Sequence, residues 1–215
     1  MLITERFQKE MIKNVSLNYF LSLPDAIKQG ESVPMIVFLH GAGERGDDID
    51  LVKSVGLPRL CVAGLSQRCI VLCPQCPQDQ IWNALIPDLK LLIDSIAEQY
   101  TVDTNRISIT GLSMGGFGTW EMISTYPSFF SAAAPICGGG MEWRTDVLLH
   151  LPIWAFHGDD DTVVECGHSI RMVERIKEQG GKAQLTIFHG VGHNAWDSAY
   201  EQTELINWLL AQKKA

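Results

Sequence analysis

The chain has 215 residues, 46% hydrophobic and 20% charged, the makeup of an ordinary globular protein with room for one sizeable core rather than two. A formal net charge of −8 and a sequence pI near 5.2 argue against a nucleic-acid surface and leave no polybasic patch for a membrane. The apolar runs Met35–Leu39 and Cys69–Cys73 are far too short to span a bilayer.

The first segment, Met1 to Asn14, carries Glu5, Arg6, Lys9, Glu10 and Lys13 and no hydrophobic signal core, so export by the usual route is not expected and a cytoplasmic location is. Val15 to Leu23 alternates in part and predicts a strand near a sheet edge. Pro24 to Val33 reads as a polar turn. Pro34 to His40 is a continuous apolar run, the pattern of a strand buried on both faces. It leads into Gly41-Ala42-Gly43-Glu44-Arg45-Gly46, where Glu44 and Arg45 are expected to pair with each other or to brace the loop. Asp47 to Val55 is a weak helix, Cys69 to Cys73 another apolar strand, and Pro74 to Asn83 an irregular loop.

Leu85 to Tyr100 is the clearest helix. Leu85, Leu89, Leu92, Ile93 and Ile96 form one stripe, and Pro87 falls in the first turn, where proline is tolerated. Arg106 to Thr110 reads as a buried strand and Gly116 to Tyr126 as a helix stopped by Pro127. Between them Gly111-Leu112-Ser113-Met114-Gly115 fits G-x-S-x-G, a serine on a tight strand-to-helix turn. Strand and helix pass so closely there that the positions two before and two after the serine must be tiny. Phe129 to Ile136, Pro152 to His157 and Ala183 to His189 are further strands. Glu165 to Glu178 and Trp196 to Gln212 are further helices. Short apolar strands alternating with helices predict a mostly parallel sheet covered on both faces, in a single domain over residues 1–215.

Six cysteines fit buried thiols. Cys73 and Cys76 form C-x-x-C, but Pro77 follows and the pair ends a strand rather than opening a helix. No second pair completes a zinc site, so no metal is expected.

A serine hydroxyl needs a base to take its proton and a carboxylate to fix the base's tautomer. In parallel sheets such groups sit on loops at the carboxyl ends of strands. The later strands deliver Gly158-Asp159-Asp160-Asp161 and then Gly190-Val191-Gly192-His193, giving the order Ser, Asp, His. His193, in a glycine-flanked loop before a helix, is the candidate base. His189 at a strand end is the alternative, and His168 lies inside a helix. His40 and His157 precede glycines at strand ends and read as core histidines bonded to backbone. Met114, after the serine, offers one backbone amide to an oxyanion. The glycine-rich loop after His40 lacks the Lys-Ser or Lys-Thr of a phosphate loop.

Several segments together carry a resemblance. They are His40 to Gly46, Pro74-Gln75-Cys76-Pro77, Gly111 to Gly116, His157-Gly158-Asp159-Asp160-Asp161-Thr162-Val163-Val164 and Gly192-His193-Asn194-Ala195-Trp196. In this order, over about residues 34–200, the chain resembles α/β-hydrolases of the carboxylesterase and phospholipase-like group, near the predicted-peptidase and acyl-esterase branch. Glu165 stands where many relatives carry proline, which touches a helix start and not the chemistry. The resemblance implies the α/β-hydrolase fold and selects Asp161 as the acid, with Asp160 second. It places the second oxyanion donor at the residue after His-Gly, Ala42, and requires no cofactor.

About fifteen residues separate the strand ending at Ile136 from the one starting at Pro152, too few for the cap domain that many lipases insert there. An open, shallow site for small or protruding esters is expected. Trp82, Trp143 and Trp196 are candidates for an aromatic wall beside the substrate, the alternative for each being a loop anchor on the core. The activity implied is carboxylic ester hydrolysis through an acyl-enzyme, with thioesterase, peptidase and a silent ligand-binding module as alternatives. The partner is a small-molecule ester, with neither nucleic acid nor membrane insertion.

Overall fold

The computed structural model describes residues 2–24, 31–65 and 68–214. The core is a seven-stranded sheet in the order β1-β3-β2-β4-β5-β6-β7. The strands are β1 (Tyr19–Ser22), β2 (Val33–Leu39), β3 (Ile70–Pro74), β4 (Val102–Leu112), β5 (Ala132–Ile136), β6 (Ile153–Gly158) and β7 (Ala183–Phe188). All neighbours run parallel except the edge strand β1, which lies antiparallel on β3 with Tyr19 opposite Pro74. The parallel strands point their carboxyl ends to one rim of the sheet.

The continuous apolar strands are explained by burial on two sides. Along β2, Met35, Val37 and Leu39 join one core cluster while Ile36 and Phe38 join the other. The first cluster holds α3 (Ile86–Gln99), α4 (Met114–Thr125) and α5 (Gly167–Glu178), through Leu89, Ile93, Ile123, Met172 and Ile176 among others. The second holds α1 (Ile49–Lys53), α2 (Gly56–Val62), α6 (Ala195–Gln202) and α7 (Leu205–Ala211), through Val52, Leu57, Ala199, Tyr200 and Leu209. Tyr200 and Thr110 share a buried hydrogen bond of 2.8 Å that fastens α6 to the sheet, and Thr110 donates onward to Ala134 O at 2.7 Å.

Several elements differ from the sequence expectation, among them β4, which begins at Val102 rather than Arg106, and β1, which begins at Tyr19 rather than Val15. The last helix is two. Thr203 is extended (φ −123°, ψ 170°), its hydroxyl donates to Ala199 O at 2.6 Å, and its oxygen accepts Leu205 N–H at 3.1 Å, so one side chain closes α6 and opens α7. β5 begins at Ala132 rather than Phe129, because Phe129 and Phe130 pack edge to face in the preceding turn, centroids 4.9 Å apart. Helix α2 was not anticipated, since Gly56 and Pro58 sit in its first turn. A 3-10 turn, Trp82–Ala84, interrupts the expected loop after β3. Of the expected turn over residues 24–33, positions 25–30 lie outside the described residues. Among the described residues no helix is long and apolar enough to cross a membrane. Among the described residues no cysteine forms a disulfide, Cys73 and Cys76 included.

Candidate active site

Ser113 sits where β4 turns into α4, with φ 54° and ψ −118°, a conformation that side chains rarely adopt. Crowding holds it there. A Cβ on Gly115 would lie 1.9 Å from Leu39 O, one on Gly111 2.4 Å from Gly115 O, and one on Gly116 2.4 Å from Ile136 O. The start of α4 is thus wedged between the ends of β2 and β5, and Ser113 N–H donates to Ile136 O at 2.9 Å. The backbone aims the hydroxyl outward at the helix N-terminus, whose first amides have no partner within the helix.

The loops after β6 and β7 meet this hydroxyl. His193 Nε2 is 2.8 Å from Ser113 Oγ, and His193 Nδ1 is 2.6 Å from Asp161 Oδ2. The carboxylate can only accept, so Nδ1 carries the proton and Nε2 offers its lone pair to the serine. Asp161 Oδ1 accepts the amides of Val163 and Val164, each at 2.9 Å. Burial pushes the Asp161 carboxyl up, but the bonds from His193 and these amides outweigh it and hold it below the ordinary carboxylate range. The imidazole is one-fifth exposed and the Asp161 side chain is sealed from water.

The other acids and histidines of these loops separate cleanly. His189 pairs with Asp159 at 2.6 Å on the surface, its own side chain 87% exposed, and Gly190 N–H donates to the same carboxylate. Asp160 is exposed. His168 packs edge to face on Phe117, centroids 5.9 Å apart.

The loop after β2 is braced at several points. Buried His40 accepts Cys76 N–H at Nε2 (2.9 Å), so its proton is on Nδ1, which donates to Gly41 O at 2.6 Å. Burial, reinforced by Arg45, pushes its pKa down to about 4 against the rise from the Gly41 bond. Described peptide bonds are all trans, so C=O and N–H of one peptide point in opposite directions. With Gly41 O turned inward to His40, the N–H of Ala42 is turned away from it. Arg45 does not pair with Glu44: it donates to Ala42 O (3.0 Å) and Gln80 O (3.4 Å). The Glu44 carboxyl is tucked under the loop, its pKa raised chiefly by burial, with Oε2 buried and lacking a hydrogen-bond partner.

The aromatic wall needs correcting. Trp82 has no exposed surface, and its indole N–H donates to His40 O at 2.9 Å, so it anchors the loop from beneath instead of lining a substrate site. Trp196 meets the His193 ring edge to face at 5.3 Å. Trp143, on the 3-10 turn Glu142–Leu148 after β5, is 78% exposed.

Residues 73–203, more than half of the chain, match the sequence profile of the Dienelactone hydrolase family. The chain belongs to the dienelactone hydrolase family. This is the α/β-hydrolase superfamily to which the motifs pointed. Relatives include a poly(3-hydroxyalkanoate) depolymerase C of Paucimonas lemoignei, 39% identical over 47% of this chain and 24% of its own length. A bifunctional acetylxylan esterase/xylanase, XynS20E, of Neocallimastix patriciarum is 32% identical over 34% of this chain and 11% of its own. The chain spans about a quarter or less of these curated relatives' lengths. Among solved structures, a thermostable esterase superposes with a TM-score of 0.82 and 36% identity, over 92% of this chain and 59% of that one. Est1E from Butyrivibrio proteoclasticus shares the fold at a TM-score of 0.69 and 15% identity, covering 94% of this chain and 97% of its own.

One cluster among the described residues brings three potential metal-ligand atoms within 4.8 Å, on Cys137, His157 and Asp161. The histidine nitrogen in it faces a carbonyl oxygen and therefore holds a proton. Burial, with the Asp161 charge next, pushes the Cys137 thiol up to about 12. Two protonated donors around a carboxylate suit a hydrogen-bonded knot better than an ion. In sequence His157 reads as a core histidine, and its contact with Asp161 is marked only by the four-residue spacing across the Gly158 turn.

Proposed function

We propose that this member of the family is a serine carboxylesterase acting on small or accessible carboxylic esters through an acyl-enzyme. The observation that carries the reading is the unbroken hydrogen-bond relay from Ser113 through His193 to Asp161. His193 Nε2 takes the Ser113 proton as Oγ attacks the ester carbonyl, and Asp161 steadies the imidazolium that forms. The amides of Met114, first in α4, and of Ala42, turned out of its loop, receive the oxyanion. His193 then protonates the leaving alkoxide, and water repeats the sequence to release the acid.

The apolar rim supports an acyl or alcohol part with hydrophobic surface. Ile81, Met141, Trp143 and Val163 are 50%, 41%, 78% and 70% exposed, on loops following β3, β5 and β6 at the carboxyl ends of the strands. Polyester, acetylated xylan and ferulate, named for similar proteins, are the first substrates to try. A peptidase reading is favoured by the likeness to the acylamino-acid-releasing enzyme of Arabidopsis thaliana, 26% identical over 73% of this chain.

The test is a fluorophosphonate label mapped to Ser113, followed by aryl esters of increasing acyl length, feruloyl and acetylxylan esters, and matched ester, thioester and amide pairs. Ester turnover that disappears in Ser113→Ala and with the label is the expected result. An unlabelled Ser113 leaves the binding-module alternative, and a preference for amide over ester overturns the esterase reading.

A further inference from the structure

Asp161 is held from a side that the relay does not use. His157 Nε2 lies 3.2 Å from Asp161 Oδ2, the oxygen that His193 also uses, and 2.9 Å from Val164 O. The side chains of His157 and Asp161 have no exposed surface. Carbonyl and carboxylate oxygens only accept, so Nε2 carries the proton shared between them. On the far side of the ring, Nδ1 is 2.8 Å from Ser169 Oγ, whose single proton is shared between Nδ1 and Gly138 O at 2.9 Å. Burial pushes the imidazole's pKa down, against the pull of Val164 O and Asp161, which favours the neutral ring with Nε2–H. The groups facing this ring are Asp161, Ser169 and the protonated Cys137 thiol, with His193 across the carboxylate.

We propose that His157 is a positioning residue for the relay: its Nε2–H, shared between Val164 O and Asp161 Oδ2, fixes the rotation of the carboxylate that orients His193. The proposal rests on the esterase reading. An aspartate's terminal torsion is soft, so a carboxylate is aimed by the donors around it. Two amides fix Oδ1, and His157 and His193 converge on Oδ2. Without Nε2–H the carboxylate turns more freely, so His193 meets Ser113 correctly less often and kcat falls. The freed charge on Oδ2 also holds the imidazolium more tightly, so the pH midpoint of activity moves upward. His157 lies beneath the site and does not touch substrate, so KM changes little.

The experiment compares His157→Leu, which keeps bulk and removes the donor, with His157→Gln, which returns an amide N–H near the place of Nε2. Folding is followed by circular dichroism, and kcat, KM and the pH midpoint of kcat/KM are measured on an aryl ester. We expect H157L to fold, to lose kcat by about 10- to 100-fold at a KM within about twofold, and to shift the midpoint upward, with H157Q recovering most of both. A folded H157L with wild-type kcat and midpoint overturns the proposal, as does a kcat loss without a midpoint shift that H157Q fails to recover. If H157L does not fold, His157→Asn decides: its shorter amide reaches only the place of Nδ1, so the donor to Asp161 is lost from a polar side chain, and an unchanged kcat and pH profile overturn the proposal. A wild-type protein that neither labels at Ser113 nor turns over esters fails the parent reading instead. A labelled, active wild type with indifferent variants fails the role of His157 alone.

Discussion

Asp161→Asn changes one atom of the relay, and its effect follows from the donors around the carboxylate. Oδ1 accepts the N–H groups of Val163 and Val164, so an asparagine has to leave its carbonyl oxygen there. Its NH2 then takes the place of Oδ2, facing His193 Nδ1 at 2.6 Å and His157 Nε2 at 3.2 Å. Two N–H groups cannot face each other at that distance. The conflict resolves when His193 moves its proton to Nε2 and turns a bare Nδ1 to the amide. Nε2–H then points at Ser113 Oγ, 2.8 Å away, and the base has no lone pair for the serine proton. The same tautomer error in a serine protease costs about 10⁴ in kcat, or about 5.5 kcal/mol of barrier. His157 keeps Val164 O as an acceptor, so the cost in stability is smaller, about 1–3 kcal/mol for the poorly matched donor. The assay is kcat/KM on an aryl acetate beside urea unfolding, with Asp160→Asn as control. D161N within tenfold of wild type at an unchanged urea midpoint, or D160N as damaging as D161N, would falsify this account of the relay.

Other outcomes follow from particular contacts. In the folded protein His40 titrates near 4 and in the unfolded chain near 6.5, so the unfolded state binds more protons between those values. Its contribution is full above pH 6.5 and is lost as pH falls to 4, on the order of 3 kcal/mol; a urea midpoint that stays flat from pH 7 to 4.5 contradicts this. Gly115→Ala puts a methyl 1.9 Å from the Leu39 carbonyl oxygen, which belongs to a central strand and cannot yield, so little soluble folded protein is expected on expression. Tyr200→Phe removes the donor to Thr110 Oγ1 while Thr110 still bonds Ala134 O, so a loss of about 1 kcal/mol in chemical denaturation is expected, with ester turnover unaltered.

The sheet was legible because burial on both faces writes itself as uninterrupted apolar runs, and β2 and β3 are such runs. The elbow was legible because steric demand leaves no choice but glycine two positions to either side of the serine. What the sequence hid were features decided by a single side chain in three dimensions. Thr203 splits the last helix with one hydroxyl, where the apolar pattern runs straight through. Trp82 reads as a loop tryptophan, yet its ring fills the space under His40 (centroids 4.9 Å apart), so a residue next to the site in the chain is sealed beneath it. Among three adjacent aspartates the residues alone left the acid open. The geometry brings only Asp161 to His193, since Asp159 is already engaged with His189.

The clamp of α4 between β2 and β5 has a bearing on how such a protein can be altered. Because the backbone of Leu39 and that of Ile136 both press on the glycines that follow Ser113, the reactive oxygen is tied to the middle of the sheet and has no independent play. Selection for a new substrate therefore has little purchase at the apex. It has to work through the outer fringe, where Met141, Trp143 and Val163 can be exchanged without disturbing a strand. A directed library confined to those positions should change what the protein accepts while leaving its turnover machinery in register.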